Sequence, residues 1–422
     1  CTSKPEDTDS RLGMTSFQGR HTLLGVLVLL AGTHGDQDAP SVGNQSKCES
    51  RLLLPQPDRL VAIGDIHGDL SKLKEALTIA RVWDDTQGWI GGSTVVVQLG
   101  DQVDRGDDEL EVTALLRQVA LQAKEAGGAL HILLGNHEIM SAQGDIRYAT
   151  PGAAARFHDW NQTCSEPDRA SSMAEEHHCD LWEPLRCPDK DVHCQRQLMQ
   201  MPAIHRSRFL ALRAGGPIAR NVWGKERRTM LVIGDTLFVH GGIDQAQIAG
   251  GCSVLDGMDR TVAAWMEGQH DAAKASEFWT RVTGRPVGPE APAIPAEYSM
   301  PPIAGDQHGP FWNRVFAMPH DSQYGGSVGP DTCRRLDETL GALPVEGVRR
   351  MVVGHTVQQG GIVEDCRGAG WGGSSVVKVD VGMSAGMLGA EAEVLEILRS
   401  GKVSTLRASG PGQPQPPAGV AL

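Results

Sequence analysis

Little in this 422-residue chain is aromatic: Phe, Trp and Tyr make up 5% of it, too few for the stacking surfaces on which single-stranded nucleic acids bind. Positive charge is scarce too. Lys and Arg number 39 against 52 Asp and Glu, a formal charge of -13, and no long basic run occurs. Duplex nucleic acid or an anionic membrane as the main partner is excluded on that ground, since a phosphate backbone is bound by clustered cations. No apolar run reaches the roughly 20 residues that cross a bilayer as a helix, and no Cys-x-x-Cys pair marks a thiolate zinc site. What is present is ordinary globular composition, 40% hydrophobic, with 51 Gly and 24 Pro that favour turns and backbone-defined loops. Any phosphate chemistry must then rest on a few placed residues.

The sequence starts at Cys1, and Met14 is its first useful initiator. Behind it Arg20 and His21 form a weakly basic segment, Leu23 to Ala31 an apolar one, and Ala31, Gly32 and Gly35 a small-residue zone, the three-part pattern of a signal peptide. Residues 1–35 are therefore read as upstream residues and signal peptide, 36–58 as a linker, 59–407 as one folded domain, and 408–422 as a Pro/Gly-rich disordered tail. The expected location is the secretory lumen or the exterior, with an organelle as the alternative. Cys164, Cys179, Cys187 and Cys194 fall in one polar stretch that also holds His177, His178 and His193. Disulfides, free thiols and a zinc site all remain open readings of it.

Short apolar runs break into Gly/Asp loops in order along the domain: Leu60 to Ile63 before Gly64-Asp65, Thr94 to Leu99 before Gly100-Asp101, and His131 to Leu134 before Gly135-Asn136. Each reads as a buried strand feeding a polar loop. Between them, Leu70 to Arg81 and Glu109 to Ala126 carry apolar residues at helical spacing. The domain thus opens β-α-β-α-β, with parallel strands and functional loops at their C-terminal ends. Residues 141–228 read as a mostly helical insertion, either a cap over a cleft or a structural excursion. Further strands are expected at Met230 to Ile233, Thr236 to Val239, Met351 to Val353, Val376 to Val381 and Val394 to Leu398, and a Pro-rich surface loop over Gly284 to Gln307.

The strand ends read Gly64-Asp65-Ile66-His67-Gly68-Asp69, Gly100-Asp101-Gln102-Val103-Asp104-Arg105-Gly106, Gly135-Asn136-His137-Glu138, His240-Gly241-Gly242 and Gly354-His355-Thr356. A single strand-end Asp is commonly a helix cap, the role expected of Asp69. Five such loops in order form a joint signal that one residue cannot give. Oxygen and imidazole donors without thiolates suit Mn, Fe or Zn.

These motifs resemble the metal-dependent phosphoprotein phosphatase family, with its Gly-Asp-x-His-Gly, Gly-Asp-x-Val-Asp-Arg-Gly and Gly-Asn-His-Glu blocks. They look most like its Shewanella-like branch, through Asp104-Arg105-Gly106-Asp107-Asp108-Glu109, Pro310-Phe311-Trp312-Asn313-Arg314, Val353-Gly354-His355-Thr356 and Asp380-Val381-Gly382-Met383-Ser384. The resemblance runs from about Val61 to Met383 in scattered blocks. It implies an α/β calcineurin-like metallophosphoesterase fold, a central β-sandwich flanked by helices. It implies two metal ions, the first held by Asp65 and His67, with Asp101 bridging to a second held by Asn136, His240 and His355. His137, oriented by Asp104, would protonate the leaving group; Arg105 and Arg314, with Asn136, would bind the phosphate, although Arg314 also admits a structural reading. The implied reaction is hydrolysis of phosphoprotein monoesters by in-line attack of a metal-bridging hydroxide. Hydrolysis of a small phosphate ester or a dinucleoside polyphosphate is the alternative, and an inactive phosphoprotein-binding module the second. The Ser-Ala-Pro-Asn-Tyr run through which eukaryotic serine/threonine members meet toxins and regulatory subunits is absent. Residues 380–388 read Asp-Val-Gly-Met-Ser-Ala-Gly-Met-Leu instead, and no regulatory partner is indicated.

Overall fold

A computed structural model of the chain describes residues 50–166, 178–248, 250–284, 299–318, 328–367 and 373–408. The signal-peptide-like segment, the linker up to residue 49, most of the Pro-rich stretch and the tail from residue 409 lie outside the described residues. Alternation within the first apolar run sets the layers. In β2 (Arg59–Ile63) Leu60 and Ala62 enter one core while Val61 and Ile63 enter another, so both faces of the strand are covered.

As the sequence predicts, β2 pairs in parallel with β5 (Val95–Gln98), and β5 with β6 (Ala129–Ile132). Two antiparallel strands, β12 (Glu393–Leu398) and β13 (Val403–Arg407), extend this sheet to the order β13-β12-β2-β5-β6. The second sheet runs β1-β7-β8-β9-β11-β10. Its strands are β1 (Leu53–Leu54), β7 (Met230–Ile233), β8 (Thr236–Val239), β9 (Arg350–Val353), β10 (Val363–Asp365) and β11 (Ser375–Lys378). Within it β8, β9 and β11 are mutually parallel. A small hairpin of β3 (Trp83–Asp84) and β4 (Gly88–Trp89) stands apart.

Helices cover both sheets. In α1 (Leu70–Ile79) Leu73, Ala76 and Leu77 are buried, and in α2 (Glu109–Glu125) Val112, Leu116, Val119 and Ala123. These stripes recur every three to four residues and close over the face of the first sheet that carries Val61, Ile63 and Val96. The larger core joins the two sheets to each other and to α7 (Cys252–Met266), α8 (Ala272–Thr283) and α9 (Pro330–Gly341). The insertion contributes α4 (Pro151–Ser165), α5 (Val192–Gln200) and α6 (Arg206–Leu212). Cys164–Cys179 and Cys187–Cys194 disulfides staple it, which removes the thiolates that a zinc site would need. A third bridge, Cys333–Cys366, ties α9 to the residue after β10.

Three expectations need correcting. The linker ends before residue 58, because Leu52 is fully buried and β1 joins the sheet edge beside β7. The Pro-rich stretch is no surface loop at its end, where Pro302–Gly305 form a helical turn that buries Ile303 and Ala304. Asn136 and His137 lie on no strand-end loop; they open a helix, α3 (Asn136–Ala142), directly after Gly135.

Candidate active site

Three strands of each sheet deliver the candidate residues. From the first sheet, β2 leads to Asp65 and His67, β5 to Asp101, Asp104 and Arg105, and β6 to Asn136 and His137; from the second, β8 leads to His240, β9 to His355 and β11 to Asp380. Hydrogen bonds cross between them. His240 Nδ1 lies 2.8 Å from the Leu99 carbonyl, and the His355 N–H donates to Asp65 Oδ2 at 3.1 Å.

Asp101 is central. Its Oδ1 accepts the His137 N–H at 2.9 Å, while Oδ2 lies 3.4 Å from His240 Nε2, 3.8 Å from His67 Nε2 and 3.9 Å from His137 Nε2. Burial alone would raise its carboxyl, but His240 and His137 outweigh burial and hold it well below the usual range. Two donor sets share it, His67–Asp101–His137 and Asp101–His240–His355, each with its ligand atoms within 4.8 Å of one another. Asn136 Oδ1 sits 3.0 Å from His240 Nε2. Asp65 is placed less directly, by the His355 N–H and by a hydrogen bond with Asp380.

The donor chemistry fits a metal site. His67 and His240 have Nδ1 at 3.2 and 2.8 Å from the carbonyls of Val103 and Leu99, which leaves each Nε2 as a lone pair facing inward. Nε2 of buried His355 has no hydrogen-bond partner among the described residues. Asp65, Asp101, Asp380 and Glu138 are all buried around the same point, a charge density that the interior tolerates only with compensating cations or protons. Burial first, and Asp380 and Asp101 next, push the Asp65 carboxyl well up.

His137 differs from its neighbours. Its Nδ1 meets a carboxylate, Asp104 Oδ2, at 2.7 Å. Burial pushes the ring down, but Asp101 and Asp104 outweigh it and leave its pKa above the usual value. Arg105 lies with its guanidinium 4.5 Å from the centre of the Tyr148 ring, its Nε without a partner among the described residues. Arg314 Nη1 donates to the His355 carbonyl at 2.9 Å and to Thr356 Oγ1 at 2.8 Å, which aims the side chain along the same cleft. Trp312 packs edge-on to His355 at 6.2 Å. Asp69, as expected, caps α1 by accepting the Lys72 N–H.

The model of the calcineurin-like phosphoesterases matches residues 58–359. The chain belongs to that family. Shewanella-like protein phosphatase 2 of Arabidopsis thaliana is 33% identical over 352 residues, 82% of this chain and 77% of that protein. Shewanella-like protein phosphatase 1 of Plasmodium berghei is 32% identical over 99 residues, 24% of this chain and 27% of that protein. Among solved structures, the cold-active protein-tyrosine phosphatase of a psychrophilic Shewanella species is 21% identical, covering 86% of this chain and 84% of that one with a TM-score of 0.48.

In this phosphoesterase the site holds residues whose roles the motifs did not announce. Glu138 accepts the N–H groups of Asp101, Gln102 and Gly135 at 2.7 to 2.9 Å. Burial and Asp101 push its carboxyl up to about 7 against those bonds. The spacing of a helix-capping glutamate three residues after Gly135 was the available signal. Burial, with Asp101 behind it, likewise lifts Asp380 to about 6. The turns are also sharper than glycine alone explains. His67, Asp101, Asp104, Arg105 and His355 have φ between 49° and 69°, the left-handed region that costs a non-glycine residue about 1–3 kcal/mol and collects at functional sites.

Proposed function

We propose that the protein is a metal-dependent protein phosphatase that hydrolyses phosphomonoesters on phosphoproteins by direct in-line displacement. The carrying observation is that two clusters of candidate donors share Asp101, and that one of them includes an imidazole, His137, backed by a carboxylate rather than a carbonyl. Asp65, His67 and Asp101 would hold one cation, and Asp101, Asn136, His240 and His355 the other, with Mn, Fe or Zn suited to the donors. When bound, the cations would acidify an attacking water and polarise the phosphoryl oxygens.

The chain's own residues do the remainder. Arg105 and Arg314 fork onto the phosphate oxygens, with Asn136 alongside them, and stabilise charge as it spreads in the transition state. His137 keeps a proton on Nε2 because Asp104 takes Nδ1–H, and it gives that proton to the departing serine, threonine or tyrosine oxygen. His67, whose Nδ1 faces a neutral carbonyl and whose ring burial pushes down to about 4, has no such support for an imidazolium, whereas at His240 burial is outweighed by Asp101, which raises it; with cations bound, both would serve as neutral ligands. The five loops contain no Cys or Ser, which supports direct attack without a phosphoenzyme. The name of the Arabidopsis relative supports a phosphoprotein substrate. Three cysteine pairs with Cα atoms 5.3 to 5.7 Å apart support an oxidising compartment.

The test is turnover of metal-loaded protein on phosphoserine, phosphothreonine and phosphotyrosine peptides beside dinucleoside polyphosphates. Hydrolysis of one or more peptides is expected, and activity on dinucleotides alone would sink the proposal. In the same assay His137→Asn should slow the peptides far more than an activated aryl phosphate, whose leaving group needs no proton.

A further inference from the structure

The catalytic acid of the proposed function hangs on a turn that is strained at two consecutive positions, Asp104 (φ 68°) and Arg105 (φ 69°). Such a turn persists only where its surroundings over-determine it. Part of that support comes from the start of α2, where Glu109 Oε1 accepts the Asp104 N–H at 2.8 Å. The rest comes from the insertion. Its Tyr148 carbonyl accepts the Arg105 N–H at 2.8 Å, and its Tyr148 ring lies beside both Arg105 and His137.

Arg208, on α6 and 1% exposed, is the deepest of these supports. Its Nη2 donates to Asp104 Oδ1 at 2.8 Å, to Glu109 Oε1 at 2.8 Å and to Ser141 Oγ at 3.2 Å, and its Nε to Glu109 Oε2 at 2.7 Å. Both oxygens of Asp104 are therefore committed, Oδ1 to Arg208 and Oδ2 to His137. The carboxylate cannot rotate, and the ring it holds is fixed in plane. A guanidinium suits this task because its planar fork spans two carboxylates at once, which an ammonium does not.

We infer that Arg208 is a positioning residue for the leaving-group acid, acting through Asp104 on His137, so that the insertion is part of the catalytic apparatus rather than a cap or an excursion. The inference rests on the acid role of His137 proposed above. It goes beyond that role in naming what Arg208, 71 positions further along the chain and inside the insertion, contributes to it.

The experiment compares metal-loaded wild type, His137→Asn, Arg208→Met, Arg208→Lys and the double variant His137→Asn/Arg208→Met on a phosphoserine peptide and on an activated aryl phosphate, with metal content measured in each. Arg208→Met should lower kcat on the peptide about 100-fold, the low end of what general acid catalysis contributes, and on the aryl phosphate only a few-fold, with KM and metal content unchanged. Arg208→Lys should recover part of the loss. The double variant should be no slower than His137→Asn alone, because both changes disable one unit. Equal losses on the two substrates, a multiplied loss in the double variant, or an effect on KM alone would overturn the inference. Should Arg208→Met fail to fold, with two carboxylates left buried and unpaired, Arg208→Lys keeps the charge and must show the same leaving-group split in smaller measure. If His137→Asn itself showed no split, the acid role would fall, and the two failures are thereby told apart.

Discussion

Replacing Gly135 by alanine is the smallest change expected to disable the site. The backbone there, φ −108° and ψ −177°, is extended and open to any residue, so alanine brings no conformational penalty of its own. Space is the difficulty. A Cβ on Gly135 would stand 2.1 Å from Asp101 Oδ1 and 2.4 Å from the Asp101 nitrogen. Restoring ordinary contact at about 3.4 Å means moving the carboxylate by about 1.3 Å. That shift breaks the 2.9 Å bond from the His137 N–H to Oδ1 and draws Oδ2 away from three imidazoles. A misplacement of about 1 Å at a reacting centre costs on the order of 100-fold in rate, and disturbing a ligand's support costs about 10- to 100-fold in metal affinity. The assay is metal stoichiometry by mass spectrometry together with kcat on a phosphopeptide, with circular dichroism to follow the fold. Gly341→Ala, at a position where a Cβ would meet nothing within 4 Å, is the control and should leave both quantities intact. A Gly135→Ala protein with full metal content and wild-type rate would refute the reasoning that Asp101 is held in place by contact.

Asp101→Asn should lower metal content as well as rate, since the carboxylate belongs to both donor sets; unchanged stoichiometry would contradict the shared-ligand assignment. Arg105→Lys should reduce kcat/KM about 10-fold or more through loss of the fork while leaving Tm unaltered, because Arg105 makes no ion pair with another described residue; an unchanged kcat/KM would remove it from phosphate binding. Chelation should lower Tm, and Mn, Fe or Zn should restore it: a cation at 100 times its Kd stabilises the native state by about 2.7 kcal/mol, and without it Asp65, Asp101, Asp380 and Glu138 repel one another in the interior. A Tm indifferent to chelator would argue against bound metal.

The parallel opening of the first sheet was legible because β2 and β5 are almost wholly buried apolar runs that lead into Gly-Asp turns, and β6 buries Leu130 and Ile132 on one face. Boundaries were less so: Leu133 and Leu134 continue the apolar run past β6, but Leu133 leaves the ladder with β5 for a single parallel bridge to Arg228. The six proposed ligands and His137 were legible because each lies in a local block. Arg208 was not, since a lone Arg on an insertion helix looks like any surface cation until its distance to Asp104, 104 positions away, is known. Glu109, Glu138 and Asp380 stood inside the quoted motifs, but their work is done through backbone N–H groups and neighbouring carboxylates that only the folded chain brings near. The left-handed turns were hidden for a different reason: sequence assigns such turns to glycine, whereas here the functional residues adopt them.

The division of the site between two sheets has a consequence for assembly. Asp65 and the His355 N–H that holds it are 290 positions apart, and the donor set Asp101–His240–His355 draws on both sheets. Cations held there would act as rivets through the sandwich, joining the halves as a disulfide joins distant segments, but seated only after both halves have met. Metal capture at that set would then follow docking of the two sheets, and its occupancy would count the molecules in which they have met.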